Sequence, residues 1–264
     1  MGSFAQDAPA DDRASGSLLG AIDRAIGSVI DVAAALLVAA EIVILFAGVV
    51  SRYLLHRPLT WSDELASTLF LWLAMFGAVI AVRHNAHMRM TAFTWLASEN
   101  GRAFFDALAL AAGLAFFALI AQPAIEYAYE ESFITTSALE ISGAWRASAF
   151  PTGVGLMLIF SILRLATRSN VMHALGAVAL AAALIALFWQ IGPIFKTLGN
   201  LNLIIFFVVL VMAAVFAGVP IGFSFALATF GYLALTTRVP TMVMVGRMDE
   251  GMSHLILLSV PLFV

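Results

Sequence analysis

Residues 57–82 read RPLTWSDELASTLFLWLAMFGAVIAV. Two adjacent carboxylates, Asp63 and Glu64, stand beside Trp61, and an almost uninterrupted apolar run follows through Val82. About 20 apolar residues are enough for an α-helix to cross the hydrocarbon core of a bilayer. The stretch therefore predicts a membrane-spanning helix that begins with a pair of carboxylates.

The composition of the whole chain indicates the same class of protein. Of the 264 residues, 62% are hydrophobic and only 11% are charged, whereas soluble domains carry about 25% charged residues. Apolar runs of spanning length recur, so we predict an all-α integral membrane protein in contact with the lipid bilayer. The net charge of −3 comes without a basic tract, which argues against binding to nucleic acid.

The apolar runs predict seven helices and the start of an eighth. The 35-residue run from Leu201 to Leu235 is too long for one span. We divide it at Gly218-Val219-Pro220, because proline removes a backbone donor and restricts the preceding residue. The eighth apolar segment starts at Leu255 and the sequence stops inside it, so we expect a fragment of a longer protein. The first five helices are predicted at about residues 26–53, 62–83, 104–126, 146–165 and 171–191.

The polar N-terminal segment predicts the orientation of the chain. It begins with acidic rather than basic charge, unlike a signal peptide, so we predict that residues 1–25 form a disordered cytoplasmic tail. Cytoplasmic loops are enriched in positive charge. A cytoplasmic N-terminus would place seven Lys and Arg residues inside and six outside, or seven against three over the first four helices. The seven are Arg13, Arg24, Arg83, Arg89, Arg102, Arg164 and Arg168, and the three are Arg52, Arg57 and Arg146.

Two further segments lie between the predicted spans. In residues 87–96 the apolar side chains Met88, Ala92, Trp95 and Leu96 share one helical face, which is typical of an amphipathic helix lying in the membrane interface. An acidic loop is expected after the third span. It contains Glu126, Glu130, Glu131 and Glu140.

Glu41 lies near the middle of the first predicted span. A charged side chain there costs roughly 2.5–3.5 kcal/mol on insertion scales. It is either a structural residue that faces a neighbouring helix or part of an ion path, and the sequence favours the structural interpretation because it names no partner. Arg52 shares its helical face, but 11 residues correspond to about 16 Å along a helix axis, too far for direct pairing.

Asp63 and Glu64 fit the first turn of a helix, where acidic groups complement the helix dipole by roughly 0.3–1 kcal/mol each. Trp61 suits the level of the lipid headgroups. Consecutive side chains point about 100° apart on a helix, so the two carboxylates do not converge on one atom. We therefore predict no catalytic residue here and no enzyme activity.

Metal, haem and nucleotide chemistry find little support in the motifs. Membrane haem sites need histidines that face one another within spans. Four of the five histidines of this chain lie in polar links or near segment ends, at His84, His87, His173 and His254. The phosphate-binding motif GxxxxGK[ST] is missing. We predict neither a metal site nor a cofactor.

The segment Gly218-Val219-Pro220-Ile221-Gly222 allows two interpretations. It is either a loop between two spans or an interrupted helix of the kind that transporters place near binding sites. The pattern alone does not separate them.

Taken together, the order and spacing of short motifs resemble TRAP transporters, the tripartite ATP-independent periplasmic transporters. Residues of about 25–170 resemble the small membrane subunit, and residues 201–264 resemble the opening of the large one. The departures are small, since Asp63-Glu64 stands where two glutamates are common and Ser259 where alanine is frequent. The residues that carry the resemblance are Arg52, Pro58, Trp61, Asp63-Glu64-Leu65, Leu71-Trp72-Leu73, Gly77-Ala78, Arg83, His87, Thr136 to Ser142, Phe150 to Gly153, Gly218 to Gly222 and Leu257 to Phe263.

The resemblance implies a fused permease of four parts. These are the tail at 1–25, a four-helix small-permease domain at 26–168, a connecting transmembrane helix at 169–200, and the N-terminal part of the large permease domain at 201–264. The connecting helix is needed because a four-span subunit ends on the cytoplasmic side, whereas the large subunit of this family begins on the periplasmic side.

The resemblance also implies a function. Such a protein lies in the bacterial inner membrane and imports organic anions, commonly carboxylates or sialic acids, with sodium as the coupling ion. A periplasmic substrate-binding protein delivers the substrate, and the sodium and substrate sites belong to the large subunit, beyond residue 264. The expected structural and subunit-interface residues are Glu41, Arg52, Trp61, Asp63, Glu64, Arg83 and His87, with a helix break at Gly218, Pro220 and Gly222. The alternatives are a membrane anchor of a respiratory enzyme and a structural membrane protein.

Overall fold

Helices make up most of the residues that the structure describes. The structure, a computed structural model, describes residues 18–84, 99–168 and 171–253. Those residues contain no β-strand, only an isolated antiparallel bridge between Thr135 and Ser142. Four helices are long and apolar enough to cross a membrane. The prediction of an all-α integral membrane protein is confirmed.

The described residues form eleven α-helices. Between α8 and α9 the chain forms a π-helical turn over Ile205–Leu210. The helices are α1 Leu18–Tyr53, α2 Ser62–His84, α3 Glu99–Glu131, α4 Ala144–Ala147, α5 Ala149–Arg168, α6 Val171–Gln190, α7 Gly192–Phe195, α8 Leu201–Ile204, α9 Val211–Phe216, α10 Ile221–Thr236 and α11 Met242–Met252.

The ends of several helices differ from the prediction. Helix α1 begins at Leu18, so residues 18–25, which we assigned to the tail, are helical. Helix α3 continues to Glu131, and the acidic side chains from Glu126 onward, except Glu140, therefore lie on a helix rather than in a loop. A helix can continue beyond its apolar span where water or a neighbouring helix supplies polar partners for its charged side chains.

The fourth predicted span and the polar stretch near the end also differ. The span is divided at Ser148 into α4 and α5. The stretch 241–253, for which no helix was predicted, forms α11. Its mixed polarity reflects a helix with one buried face, which includes Met244, Val245 and Asp249.

One hydrophobic core joins the four long helices to the end of the described chain. Leu71 of α2, Phe116 of α3 and Phe150 of α5 belong to it, together with Met244 and Val245 of α11. Helix α10 contributes Phe223, whose ring meets that of Phe117 edge to face at 5.3 Å. The four-helix part and the segment that follows it are therefore packed into one another.

Helix α1 lies at the margin of this bundle. It packs on α2 and, less extensively, on α5, and only a narrow stripe of its surface is buried. Large apolar side chains on the other faces are exposed, including Leu36, Val43 and Phe46. In a membrane-spanning helix such faces suit contact with lipid.

Helix α6 packs against α3 through small residues. Ala107 and Ala111 of α3 and Ala177 of α6 are buried together, and small side chains let membrane helices approach closely. A second cluster holds α7 to α10 together around Phe195, Phe206 and Ala228. The helix predicted at 171–191 thus connects the four-helix part to this cluster.

Some predictions fall outside the described residues. They are the tail at 1–17, the interfacial helix at 87–96 with His87, and the eighth apolar segment from Leu255.

Candidate functional site: polar clusters at the two ends of the bundle

Helices α1 and α2 run antiparallel, and this places the polar residues of the bundle at two ends. A Cβ atom added to Gly48 would lie 3.1 Å from the Ser62 hydroxyl, and one added to Gly27 would lie against Arg83. We call the end where α2 begins and α1 and α3 finish the Glu64 end. The opposite one, where α2 and α5 finish, is the Arg83 end.

At the Glu64 end, the carboxylate of Glu64 holds the loop between α3 and α4. It accepts hydrogen bonds from the backbone N–H groups of Ala138 at 2.8 Å and Leu139 at 3.2 Å. The Ser137 hydroxyl lies 3.4 Å away as a further donor. Hydrogen bonds to a charged acceptor are stronger than neutral ones, so Glu64 fixes this loop on the start of α2.

The same loop is closed by its own backbone. The N–H of Thr136 donates to the carbonyl of Ile141 at 2.9 Å, and that of Gly143 donates to the carbonyl of Ile134 at 2.7 Å. Glu140 adopts a left-handed conformation with φ of 54°, which is uncommon for a residue other than glycine. A Cβ atom on Gly143 would lie 2.8 Å from the Glu131 carbonyl oxygen, so only glycine fits there.

Asp63 turns to a different neighbour. Its carboxylate lies 3.3 Å from the Arg52 guanidinium at the end of α1, and both side chains are more than half exposed. Exposed pairs contribute about 0–1 kcal/mol, so this contact is weak. The adjacent carboxylates therefore diverge, as helix geometry requires, and each meets a donor on another element. Trp61 is 38% exposed beside them.

At the Arg83 end, the Arg83 side chain lies between two carboxylates of α1. Its guanidinium is 3.4 Å from Asp23 and 3.2 Å from Asp31. It also lies over the ring of Phe160 in α5, 5.9 Å from the centroid. Arg83 thus joins α2 to α1 and α5, and Asp23 belongs to the part of α1 that precedes the apolar run.

Glu41 lies between these two ends and is completely buried. Neither carboxylate oxygen has a hydrogen-bond partner within the part of the chain that the structure describes. A buried polar group without a partner is costly. The structure does not join Glu41 to either polar cluster, and both sequence interpretations of it stay open.

A third polar group, which the sequence analysis missed, links the four-helix part to α11. We call Tyr127, Arg146, Asp249 and Ser253 the Asp249 cluster. The Asp249 carboxylate accepts a hydrogen bond from the Tyr127 hydroxyl at 2.5 Å and one from the Arg146 guanidinium at 2.7 Å. Arg146 also donates to the Ser253 hydroxyl at 2.8 Å. These contacts connect residues more than 100 positions apart, which no local sequence pattern signals.

The helix break lies where α9 and α10 are separated. Helix α9 ends at Phe216 and α10 begins at Ile221. Gly218 is left-handed with φ of 82°, a conformation that glycine adopts without steric penalty. Pro220 precedes the first residue of α10, and Gly222 lies within its first turn. The break itself is buried from Gly218 to Pro220.

The structure distributes the predicted residues rather than joining them in one site. Glu64, Asp63, Arg52 and Trp61 share one end, Arg83 lies at the other, and Glu41 lies between them. No group of three or more His, Asp or Glu residues in the described ranges is arranged to hold a metal ion. These polar contacts join helices and loops to one another.

The sequence of the chain matches a known protein family. Residues 41–171 match the family described as "Tripartite ATP-independent periplasmic transporters, DctQ component". The chain is 30% identical over 154 residues to the "Sialic acid TRAP transporter small permease protein SiaQ" of Vibrio cholerae, covering 56% of this chain and 84% of that protein.

A second relative matches a longer part of the chain. It is the "Sialic acid TRAP transporter permease protein SiaT" of Haemophilus influenzae, 27% identical over 233 residues, or 84% of this chain. The chain spans 38% of the length of that protein. Both relatives are transporter permeases by name, and the DctQ match runs from the later part of α1 to the end of α5. The chain therefore belongs to the tripartite ATP-independent periplasmic transporter family, as a membrane component that carries its DctQ part.

Proposed function

We propose that this chain is the membrane component of a secondary active transporter that imports an organic anion together with sodium. In this proposal residues 26–168 are the small-permease domain, α6 is the connecting helix, and residues 201–264 open a fused large-permease domain. A periplasmic binding protein delivers the substrate. The substrate and sodium sites belong to the large-permease sequence beyond residue 264.

One observation supports the fusion above all others. The match to SiaT covers 84% of the chain, whereas residues 1–171 make up less than two thirds of it. The similarity to a single longer permease must therefore continue beyond the DctQ part. The shared core of α2, α3, α5 and α11 is consistent with a chain whose two parts work as one body.

The names of the relatives guide the choice of substrate. SiaQ and SiaT are both sialic acid transporter permeases by name, and sialic acids carry a carboxylate. We therefore propose an organic anion of the sialic acid or carboxylate class. Sodium is proposed as the coupling ion because of the family resemblance alone.

The orientation is proposed from the arginine distribution around the first four helices. With the N-terminus in the cytoplasm, the Glu64 end faces the periplasm and the Arg83 end faces the cytoplasm. The loop held by Glu64 and the Asp249 cluster would then lie on the side from which the binding protein approaches. The bacterial inner membrane is the expected location.

An uptake experiment in cells tests the proposed function. The complete transporter gene would be deleted and restored on a plasmid with its binding protein, and the entry of labelled sialic acid and labelled dicarboxylates would be followed. We expect deletion to abolish uptake of one of these anions and the plasmid to restore it. Uptake that continues unchanged in the deletion strain, for every anion of this class, would contradict the proposal.

A further inference from the structure

The Asp249 cluster joins α11 to both α3 and α4. We propose that Arg146 and Asp249 are positioning residues for transport, which set the place of α11, and of the chain that follows it, on the four-helix domain. The proposal rests on the proposed function, since it assumes that the chain after α11 leads into the transporting domain. It concerns contacts that act through α11 and touch neither substrate nor sodium.

The first argument is the convergence of separate elements on one carboxylate. Tyr127 comes from the last turns of α3, Arg146 from α4, and Asp249 from α11. Both oxygens of Asp249 are engaged, one by the Tyr127 hydroxyl and the other by the Arg146 guanidinium. Because hydrogen bonds depend on both distance and direction, these three groups together restrict where α11 can lie.

The second argument is burial. The side chain of Asp249 is 6% exposed and that of Arg146 is 35% exposed. A buried carboxylate is strongly unfavourable without a matching cation and hydrogen bonds. The other charged side chains of α11, Arg247 and Glu250, pair with each other at 2.6 Å and are largely exposed. Asp249 is thus the charge that α11 turns towards the four-helix domain.

The third argument is that the apolar contacts of α10 and α11 with α3 do not fix the position of α11 along α3. Elsewhere α10 and α11 meet α3 through apolar groups, such as Phe223 against Phe116 and Phe117 and the Tyr127 ring at Gly246. Hydrophobic burial is non-directional and tolerates sliding of one helix along another. The Asp249 cluster supplies the directional contact that fixes the register.

The experiment uses the complete transporter. Residues 1–264 contain no cysteine, and any cysteine in the rest of the transporter would first be replaced by serine. Val245 of α11 is fully buried, and Val243 is 38% exposed. Val245→Cys would report release of α11 through its reaction with a maleimide, and Val243→Cys, at a more exposed position of the same helix, would serve as the matched control. Each would be combined with Asp249→Asn, Arg146→Gln, the conservative Arg146→Lys and the milder Tyr127→Phe.

We expect Asp249→Asn and Arg146→Gln to speed the labelling of Val245→Cys at least tenfold while leaving that of Val243→Cys unchanged. Tyr127→Phe should give a smaller increase, which keeps the test valid if a charge variant fails to insert. In uptake assays normalised to inserted protein, the maximal rate should fall severalfold at unchanged KM, and Arg146→Lys should restore part of it.

Three results would separate the possible failures. Unchanged labelling of Val245→Cys in Asp249→Asn would overturn the proposal. Faster labelling with unchanged uptake per inserted molecule would also overturn it, because the cluster would then be purely structural. Absence of uptake by the native transporter would overturn the proposed function instead, while labelling would still decide whether the cluster holds α11.

Discussion

The guanidinium of Arg83 lies directly over Gly27, where a Cβ atom would stand 2.0 Å from its central carbon. Gly27→Ala must shift the Arg83 guanidinium and so weaken its contacts with Asp23 and Asp31, which should cancel the gain from the better helix propensity of alanine. In an Arg83→Ala background the clash is gone and Gly27→Ala should instead stabilise. Thermal unfolding in detergent should give a coupling of about 1–2 kcal/mol.

A second glycine provides the control for this cycle. A Cβ atom added to Gly77 would meet nothing within 4 Å among the described residues, so Gly77→Ala should have the same effect with and without Arg83. Equal effects of Gly27→Ala in both backgrounds would show that Arg83 does not occupy the space over Gly27.

The Glu64 carboxylate should govern the mobility of the loop that it holds. Glu64→Gln removes the negative charge and one acceptor, so we expect amide hydrogen exchange at Ala138 and Leu139 to rise about tenfold, equivalent to about 1.4 kcal/mol. Hydrogen-exchange mass spectrometry of the purified transporter measures this directly. Asp63→Asn is the matched control and should leave the loop unchanged, since Asp63 pairs with exposed Arg52 instead.

The same pair of variants tests whether these carboxylates are scaffold residues. We expect neither Asp63→Asn nor Glu64→Gln to change substrate affinity. Loss of affinity in an intact, stable complex would show that the carboxylates act on the substrate and not on the scaffold.

Gly153 lets α5 approach α2 closely. A Cβ atom there would lie 2.4 Å from the terminal carbon of Met75 and 3.1 Å from its Cβ atom, and the latter cannot move away by side-chain rotation. We expect Gly153→Ala to destabilise the protein by about 1–3 kcal/mol, as overpacking does. Gly155→Ala on the same helix, where a Cβ atom meets nothing within 4 Å in the described part of the chain, should stabilise slightly because alanine has the better helix propensity. Equal melting temperatures for the two variants would refute the close approach.

Glu41 offers a test of its two interpretations. Because its buried oxygens lack a hydrogen-bond partner among the described residues, Glu41→Leu should be at least as stable as the native protein. Glu41→Ala leaves a cavity that leucine would fill, so it should be about 2 kcal/mol less stable than Glu41→Leu. We expect uptake to persist in Glu41→Leu, in line with a structural role. A stable Glu41→Leu protein without uptake would favour an ion path.

The positions of the spans could be predicted because membrane insertion depends on the length of apolar runs. The ends of the helices could not, since they depend on partners in other elements. The first turns of α1, before the apolar run, include Asp23, which pairs with Arg83 of α2, and α3 continues to Glu131, next to the loop that Glu64 holds. Such contacts have no local signature.

The polar contacts differ in how far the sequence could reveal them. The divergence of Asp63 and Glu64 follows from helix geometry, and donors for them on neighbouring elements were a reasonable hypothesis. The pairing of Arg146 with Asp249 could not be predicted from the sequence. It spans two parts of the chain that resemble different subunits, and Asp249 lies in a stretch of mixed polarity for which no helix was predicted.

The most direct test of the central claim is transport by the complete transporter in proteoliposomes, with its binding protein outside. Thermal-shift screening of the binding protein would first identify the anion. We predict that accumulation of this anion requires both the binding protein and an inward sodium gradient, and that it stops when potassium replaces sodium. Accumulation that is equally fast without a sodium gradient, or that proceeds without the binding protein, would contradict the account.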